Sequence, residues 1–205
     1  MRSTEAFWAG EFGNEYTQRN VGRIEINRRV FTRAMMMCKD FESVIEFGAG
    51  SGENLMALNE LAPRLELTGI DINPTAYLAM GRNLENRKGD APCLAVRGSF
   101  LNMFVPKYDV AMTKGVLIHI APEDLPTAYE KLYQASKRYI LIAEYFSPEP
   151  REVEYRGNHG KLWTRDYGGE MQDKYPDMKL LDVSFHYSRT TGQDNITAWL
   201  FEHNA

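Results

Sequence analysis

Three glycines at alternate positions, Gly48, Gly50 and Gly52, follow a short apolar run that carries an acid, Glu46, two residues before the first of them. Glycine serves where the backbone must take positive φ or let a ligand lie against the main chain. The stretch Val44 to Leu55 therefore predicts a strand, a tight turn holding a small molecule, and a helix. The spacing separates two ligand classes. A dinucleotide fingerprint places its third glycine three residues after the second; here that position is Glu53, and an acid in the first helical turn opposes a pyrophosphate. Glu46 suits a cationic ligand group instead. Asp71 ends the next predicted strand, Leu65 to Asp71, where an acid can accept hydrogen bonds from both hydroxyls of a ribose. Asn73 before Pro74 is available to cap the following helix, which leaves Asp71 for the ligand, with Ile72 facing the base. His119, in the loop after the fourth predicted strand, titrates near neutrality and is a candidate general base; a packed ring in a Leu-Ile-His-Ile turn is its other use.

Two further stretches carry chemistry-bearing side chains. Phe7 to Asn20 mixes four aromatics with glycines and polar groups without a clean period and reads as a lid: Trp8, Phe12 and Tyr16 close over a ligand, and Arg19 and Asn20 offer it hydrogen bonds. The same arm would also serve as a plain cover for an apolar patch. Between Tyr145 and Tyr167, a long polar segment interleaves Tyr155, Arg156, His159, Lys161, Trp163 and Arg165 with glycine. Such a loop can recognise an anionic, hydroxyl-bearing molecule, Arg for a carboxylate or phosphate and aromatics for a sugar face, or it is solvated with a few anchoring rings.

The elements that position these groups read as follows. An amphipathic helix spans Arg23 to Lys39; helices follow over Asn54 to Leu61, Pro74 to Asn86 and Pro126 to Ser136. Strands are expected at Cys93 to Arg97, Tyr108 to Thr113 and Arg138 to Tyr145, the last apolar throughout as a buried parallel strand should be. Leu180 to Tyr187 and Ile196 to Glu202 are two more β-rich runs, joined through Thr191 to Asn195 in a hairpin-like connection. Strand four ends beside strand one in a doubly wound sheet, so the loop bearing His119 faces the reacting group.

The pattern Glu46-Phe47-Gly48-Ala49-Gly50-Ser51-Gly52 resembles motif I of the class I S-adenosylmethionine-dependent methyltransferases, whose cofactor carries an ammonium and a sulfonium and no phosphate. Together with the arm Phe7 to Asn20 and the distal Gly160-Lys161-Leu162-Trp163-Thr164-Arg165-Asp166-Tyr167-Gly168-Gly169-Glu170, it resembles the pseudaminic acid biosynthesis-associated methylases over nearly the whole chain. The resemblance implies a three-layer Rossmann-like α/β fold with a doubly wound sheet of seven strands, mostly parallel, with a C-terminal antiparallel hairpin and an N-terminal helical lid. It implies S-adenosylmethionine held by Glu46, Gly48, Gly50, Gly52, Asp71, Ile72, Ser99 and Phe100, with Thr113, Tyr16 and Asn20 beside them. Many members carry Asp where this chain has Ser99, which shifts weight onto Phe100. The acceptor side falls to Trp8, Tyr145, Tyr155, Arg156, His159, Lys161, Trp163 and Arg165. The implied reaction is methyl transfer to an oxygen or nitrogen of a small, anionic or sugar-like molecule such as a nonulosonic acid or nucleotide-sugar. A non-catalytic cofactor-binding pathway subunit, or a methylase of protein side chains, stays open beside it; a nicotinamide-dependent oxidoreductase is opposed by the glycine spacing.

Length and composition bound the rest. At 205 residues the chain is expected to be one domain, with an arm and helix over 1–40, a cofactor-binding core over 41–145 and an acceptor-side loop and hairpin over 146–205. A net charge of −4 without a dense basic run argues against nucleic acid as a partner. The two cysteines, Cys38 and Cys93, form no metal or redox spacing, no metal cluster is expected, and a reducing cytoplasmic setting fits. Met1 to Trp8 lacks the apolar core of a signal peptide, and no window approaches a membrane span, so neither export nor membrane insertion is expected. Oligomeric state has no signal in the sequence.

Overall fold

A computed structural model describes residues 2–192 and 194–204. Met1, Gln193 and Ala205 lie outside the described residues, and with Gln193 part of the expected hairpin connection. Helices α1 (Ser3–Ala9), α2 (Glu11–Arg19) and α3 (Ile24–Met37) precede β1 (Ser43–Phe47). Then α4 (Glu53–Leu61), β2 (Glu66–Asp71), α5 (Pro74–Glu85), β3 (Cys93–Arg97) and β4 (Tyr108–Lys114) alternate. A 3-10 turn (Leu117–His119) leads to α6 (Leu125–Ala135) and β5 (Ser136–Glu144). Seven strands form one sheet in the order β3-β2-β1-β4-β5-β9-β8, with β8 (Met178–His186) and β9 (Ile196–His203) from the C-terminal part. All pairings from β3 to β5 are parallel; β9 runs antiparallel to both of its neighbours. The fold is the seven-stranded Rossmann-like α/β sheet expected.

The layering follows from alternation along the strands. In β1, Ile45 and Phe47 face one core with α6, while Val44 faces the other with Val30 and Phe31 of α3 and Leu55 and Leu58 of α4. A strand whose five residues are all buried must satisfy both layers, which is why Ser43–Phe47 has no polar face turned to water. β1 pairs with β2 on one side and β4 on the other, so chain progression reverses direction there. A crevice opens beyond the carboxyl ends of strands at such a switch point.

Three segments differ in detail from the expectation. The arm, read as lacking a clean period, is two helices broken at the extended Gly10, with Trp8 of α1 packed edge-on against Phe12 and Tyr16 of α2 at ring-centroid distances of 5.4 and 5.3 Å. The acceptor-side stretch is not an open loop. A two-stranded ribbon pairs β6 (Arg151–Glu152) with β7 (Trp163–Thr164), and α7 (Tyr167–Lys174) follows, its N-terminus capped by Asp166, whose Oδ1 accepts from the Gly169 amide at 2.9 Å. Likewise a helical turn, α8 (Ser188–Thr191), sits between β8 and β9 where a plain hairpin connection was expected.

Candidate functional site

Two cavities meet at the carboxyl end of β1, sharing Gly48, Asp71 and Gly115. One, about 110 Å³, is walled by Ile70, Ile72, Phe100, Val116 and Trp8 and is largely apolar. The other, about 130 Å³, is lined by Asn20, Asn27, Glu53, Asn54 and Lys114 and is polar. Gly48 (φ +69) has no room for a side chain, because a Cβ would lie 2.5 Å from the Val116 methyl. Gly50 (φ +56) has open space where its Cβ would stand, so the backbone there is bare toward the polar cavity.

Glu46 is fully buried at the end of β1. Its Oε1 accepts from Asn54 Nδ2 at 2.6 Å, while its Oε2 has no hydrogen-bond partner. Burial pushes its pKa up to about 8, against the opposing pull of Asn54 and the Lys114 charge. An unpartnered buried carboxylate oxygen is costly and is retained where something else completes it. Asp71 is differently placed. Its Oδ2 accepts from the Gly50 amide at 2.7 Å and its Oδ1 from the Asn73 amide at 2.8 Å, so it fixes the glycine turn as well as lining both cavities. Each oxygen keeps a further lone pair for a ligand. Asn73 does cap α5, its Oδ1 accepting from the Ala76 amide at 2.9 Å.

Around the apolar cavity, Phe100 stacks on Phe47 with ring centroids 4.8 Å apart, and Ile72 stands in the same wall. Ser99 lines it too, donating its hydroxyl to Glu5 Oε1 on α1. His119 lines the cavity as well. Its Nδ1 is 2.7 Å from the Lys161 carbonyl oxygen, which can only accept, so Nδ1 carries the proton and Nε2 the lone pair. The ring lies 4.3 Å from Trp8 and 5.0 Å from Tyr155, and burial lowers its pKa to about 4. It is therefore neutral at physiological pH.

The cavities bring together Gly48, Gly50, Asp71, Ile72, Ser99, Phe100, Tyr16, Asn20, Trp8 and His119; Glu46 lines neither and reaches the polar one only through its hydrogen bond from Asn54, and Gly52 (φ +80) caps α4. Others fall elsewhere. Thr113 is 1% exposed within the sheet and lines neither cavity. Tyr145 donates to Asp194 Oδ2 at 2.6 Å, beside the cavities but in neither. Tyr155 reaches His119 only as part of the aromatic cluster. Arg156 sits at the tip of the β6–β7 excursion with φ +52, and the His159 side chain is 78% exposed, 3.8 Å from Glu152. The ribbon carries both outward. Trp163 lies within that ribbon, its carbonyl accepting from Tyr167, and Arg165 pairs with Glu170 at 3.4 Å. Lys161 acts through its backbone oxygen, its ammonium lying 5.1 Å over the Phe7 ring.

Three carboxylates escaped the sequence reading in these roles. Glu144, fully buried at the end of β5, accepts from the Val116 amide at 3.0 Å and the Leu117 amide at 3.0 Å and so fixes the loop that carries His119. Burial raises its pKa to about 7, against those amides. Glu53 accepts from the Gly22 and Arg23 amides, both at 2.6 Å, tying the arm's exit to the first turn of α4. Glu5 meets Ser99. An acid directly after the last motif glycine was a visible signal; the other two lie far in sequence from what they hold.

Among the described residues no group of His, Cys, Asp and Glu could hold a metal, and no helix is long and apolar enough to cross a membrane. Residues 45–138 match the family model described as a methyltransferase domain. A search of curated protein sequences gives no match. Among solved structures, magnesium protoporphyrin IX methyltransferase from Synechocystis, with bound S-adenosylmethionine, aligns at a TM-score of 0.70 and 12% identity over 100% of this chain and 99% of that one. A S-adenosylmethionine-dependent methyltransferase from Leishmania major aligns at 0.73 and 14% identity over 98% and 87%. The mitomycin 7-O-methyltransferase aligns at 0.63 and 15% identity over 88% of this chain and 54% of that one, so the chain spans about half that enzyme's length. Residues 45–138 thus resemble a methyltransferase domain, and the fold is the one these S-adenosylmethionine-dependent methyltransferase structures share.

Proposed function

We propose that this methyltransferase, with S-adenosylmethionine as its donor, methylates an oxygen or nitrogen of a small sugar-like molecule, a nonulosonic acid or nucleotide-sugar. The observation that carries the reading is the split crevice: an apolar slot and a polar one joined at Asp71 and Gly48, the polar one lined by Asn54, whose side chain is held by Glu46, a buried carboxylate with its second oxygen unpartnered. That division fits a molecule with a flat base, a ribose and a charged amino acid in that order. Glu46 takes the ammonium, Gly50 offers bare backbone, Asp71 takes the ribose hydroxyls, and Ile72 and Phe100 sandwich the base. Tyr16 and Asn20 close the amino-acid end from α2. Bound there, the cofactor supplies an electrophilic methyl on a sulfonium.

The chain's own part is orientation, exclusion of water and acceptance of a proton. His119 presents a neutral ring with its lone pair on Nε2, fixed by the Lys161 carbonyl, and takes the proton of the acceptor hydroxyl or ammonium. Trp8 and Tyr155 seal that ring from solvent. Enclosure by the arm favours a small acceptor over a protein side chain, and the cations Lys114 and Arg23 at the polar cavity suit the carboxylate of the cofactor's amino acid. The resemblance of the arm and distal segment to the pseudaminic acid-associated methylases supports the sugar class. Residues 1–40 then serve as lid, 41–145 as cofactor core and 146–205 as acceptor side; the free cysteines Cys38 and Cys93 suit the cytoplasm.

The experiment is incubation with labelled methyl donor and a panel of nonulosonic acids, their nucleotide conjugates and amino sugars. Label should appear in one member of the panel, and binding of the donor without any product would favour the non-catalytic subunit instead. His119→Ala separates proton acceptance from packing: a general base contributes about 10²-fold or more to turnover, and a merely few-fold drop assigns the ring to packing.

A further inference from the structure

Glu5 is a carboxylate out of place. It belongs to α1, is 8% exposed, and lines the apolar cavity that Asp71 also lines. Its Oε1 accepts from Ser99 Oγ and from Asn102 Nδ2 at 3.2 Å, and its Oε2 accepts from the Arg2 amide at 2.9 Å. The helix does not need it for docking: Arg2 Nε pairs with Asp124 Oδ1 at 2.7 Å, and the Trp8 and Gly10 carbonyls accept from Asn73 Nδ2 at 3.0 and 3.3 Å. Burial raises its pKa, but Ser99, the Arg2 amide and the Arg2 charge together hold it below the ordinary value, so it is ionised and can only accept.

The cavity lined by both Asp71 and Glu5 has apolar walls, Ile70, Ile72 and Phe100, and in Glu5 an acceptor beside Ser99. A planar base lying against those faces with its sugar at Asp71 turns one edge to Glu5. Adenine bears an amino donor on its six-membered ring where hypoxanthine and guanine bear a carbonyl; a carboxylate attracts the first and repels the second. Resting on the proposed binding of S-adenosylmethionine, we infer that Glu5 of the N-terminal arm, held by Ser99, accepts the exocyclic amino group of the nucleobase and makes the site specific for adenine. The arm is then part of the nucleoside site itself. Cofactor recognition and closure of the lid become one event, since the base finds its acceptor only when α1 is docked.

The test is calorimetric affinity of the full chain for S-adenosylhomocysteine and for its hypoxanthine counterpart, in the wild type, Glu5→Gln and Glu5→Ala. The wild type should prefer the adenine form at least tenfold. Glu5→Ala should bring the two ligands within about threefold by weakening the adenine form. Glu5→Gln keeps the size and, having both an acceptor and a donor, should raise affinity for the hypoxanthine form. If both variants fold, by unchanged thermal midpoints within a few degrees, and keep the wild-type preference, the inference is overturned while the cofactor assignment stands. If the wild type binds neither ligand, the proposed function falls and this inference with it.

Discussion

At the scale of single residues, the two titrating acids of the crevice make its chemistry measurable. Glu46 is held near 8 by burial and lacks a partner on Oε2. An ammonium placed there favours the ionised form, so binding of S-adenosylhomocysteine at pH 7 should release a proton. Calorimetry in buffers of different ionisation enthalpy reads that release directly. Glu46→Gln should abolish it and weaken binding about tenfold or more, in line with loss of a charge-assisted hydrogen bond. Asp71→Ala should be harsher than a lost ligand contact, because it also releases the Gly50 and Asn73 amides that shape the turn. Binding that survives Asp71→Ala unchanged would be incompatible with the crevice being the nucleoside site.

At the scale of elements, the arm is the most exposed to test. Asn73 ties it to α5 through Trp8, Gly10 and Asn14, while the same side chain caps that helix. Asn73→Ala removes a cap worth about 0.5–2 kcal/mol and frees α1 and α2 together; limited proteolysis should then cut between Ser3 and Asn20 faster than in the wild type. Deleting the chain through Asn20 should leave the seven-stranded sheet folded by circular dichroism. It should remove at least 90% of nucleoside affinity, because Trp8, Tyr16 and Glu5 leave with it. Retention of full methyl transfer would show the arm to be a cover only. Its helical character was present in the spacing of Trp8, Phe12 and Tyr16, yet Gly10 and Gly13 masked it. Gly13 is there because a side chain would meet the Trp8 carbonyl and Asn73 amide, a close approach invisible without the fold.

For the whole molecule, pH should act on stability through buried groups of opposite sense. Glu46 and Glu144 have folded pKa values raised to about 8 and about 7, above their unfolded values, so the folded state binds more protons between about pH 4.5 and 8. Their contribution falls as pH rises through that window. His119, lowered to about 4, contributes stability above pH 6.5 that is lost as pH falls toward 4. The ligand-free thermal midpoint should therefore decline from pH 6.5 to 8. Glu46→Gln should flatten the upper part of that decline, and saturating S-adenosylhomocysteine should remove it as well by stabilising the ionised acid.

The strands β1 to β5, the glycine turn and the helices between them were legible in order because their signals are local: β-branched runs, glycines and prolines set φ and ψ within a few residues of themselves. The places of Glu46 and Asp71 were legible for the same reason, since each stands at the end of a strand beside the glycine turn. The ribbon of Arg151–Glu152 with Trp163–Thr164 was hidden because its two-residue strands are shorter than any period. That Arg156 and His159 are carried out to solvent, that Glu144 holds the loop of His119 from the next strand, and that Glu5 meets Ser99 were decided only by the folded sheet. Such pairs join residues whose separation along the chain carries no trace of their separation in space. Their geometry exists only once strand order and helix packing have closed the chain on itself.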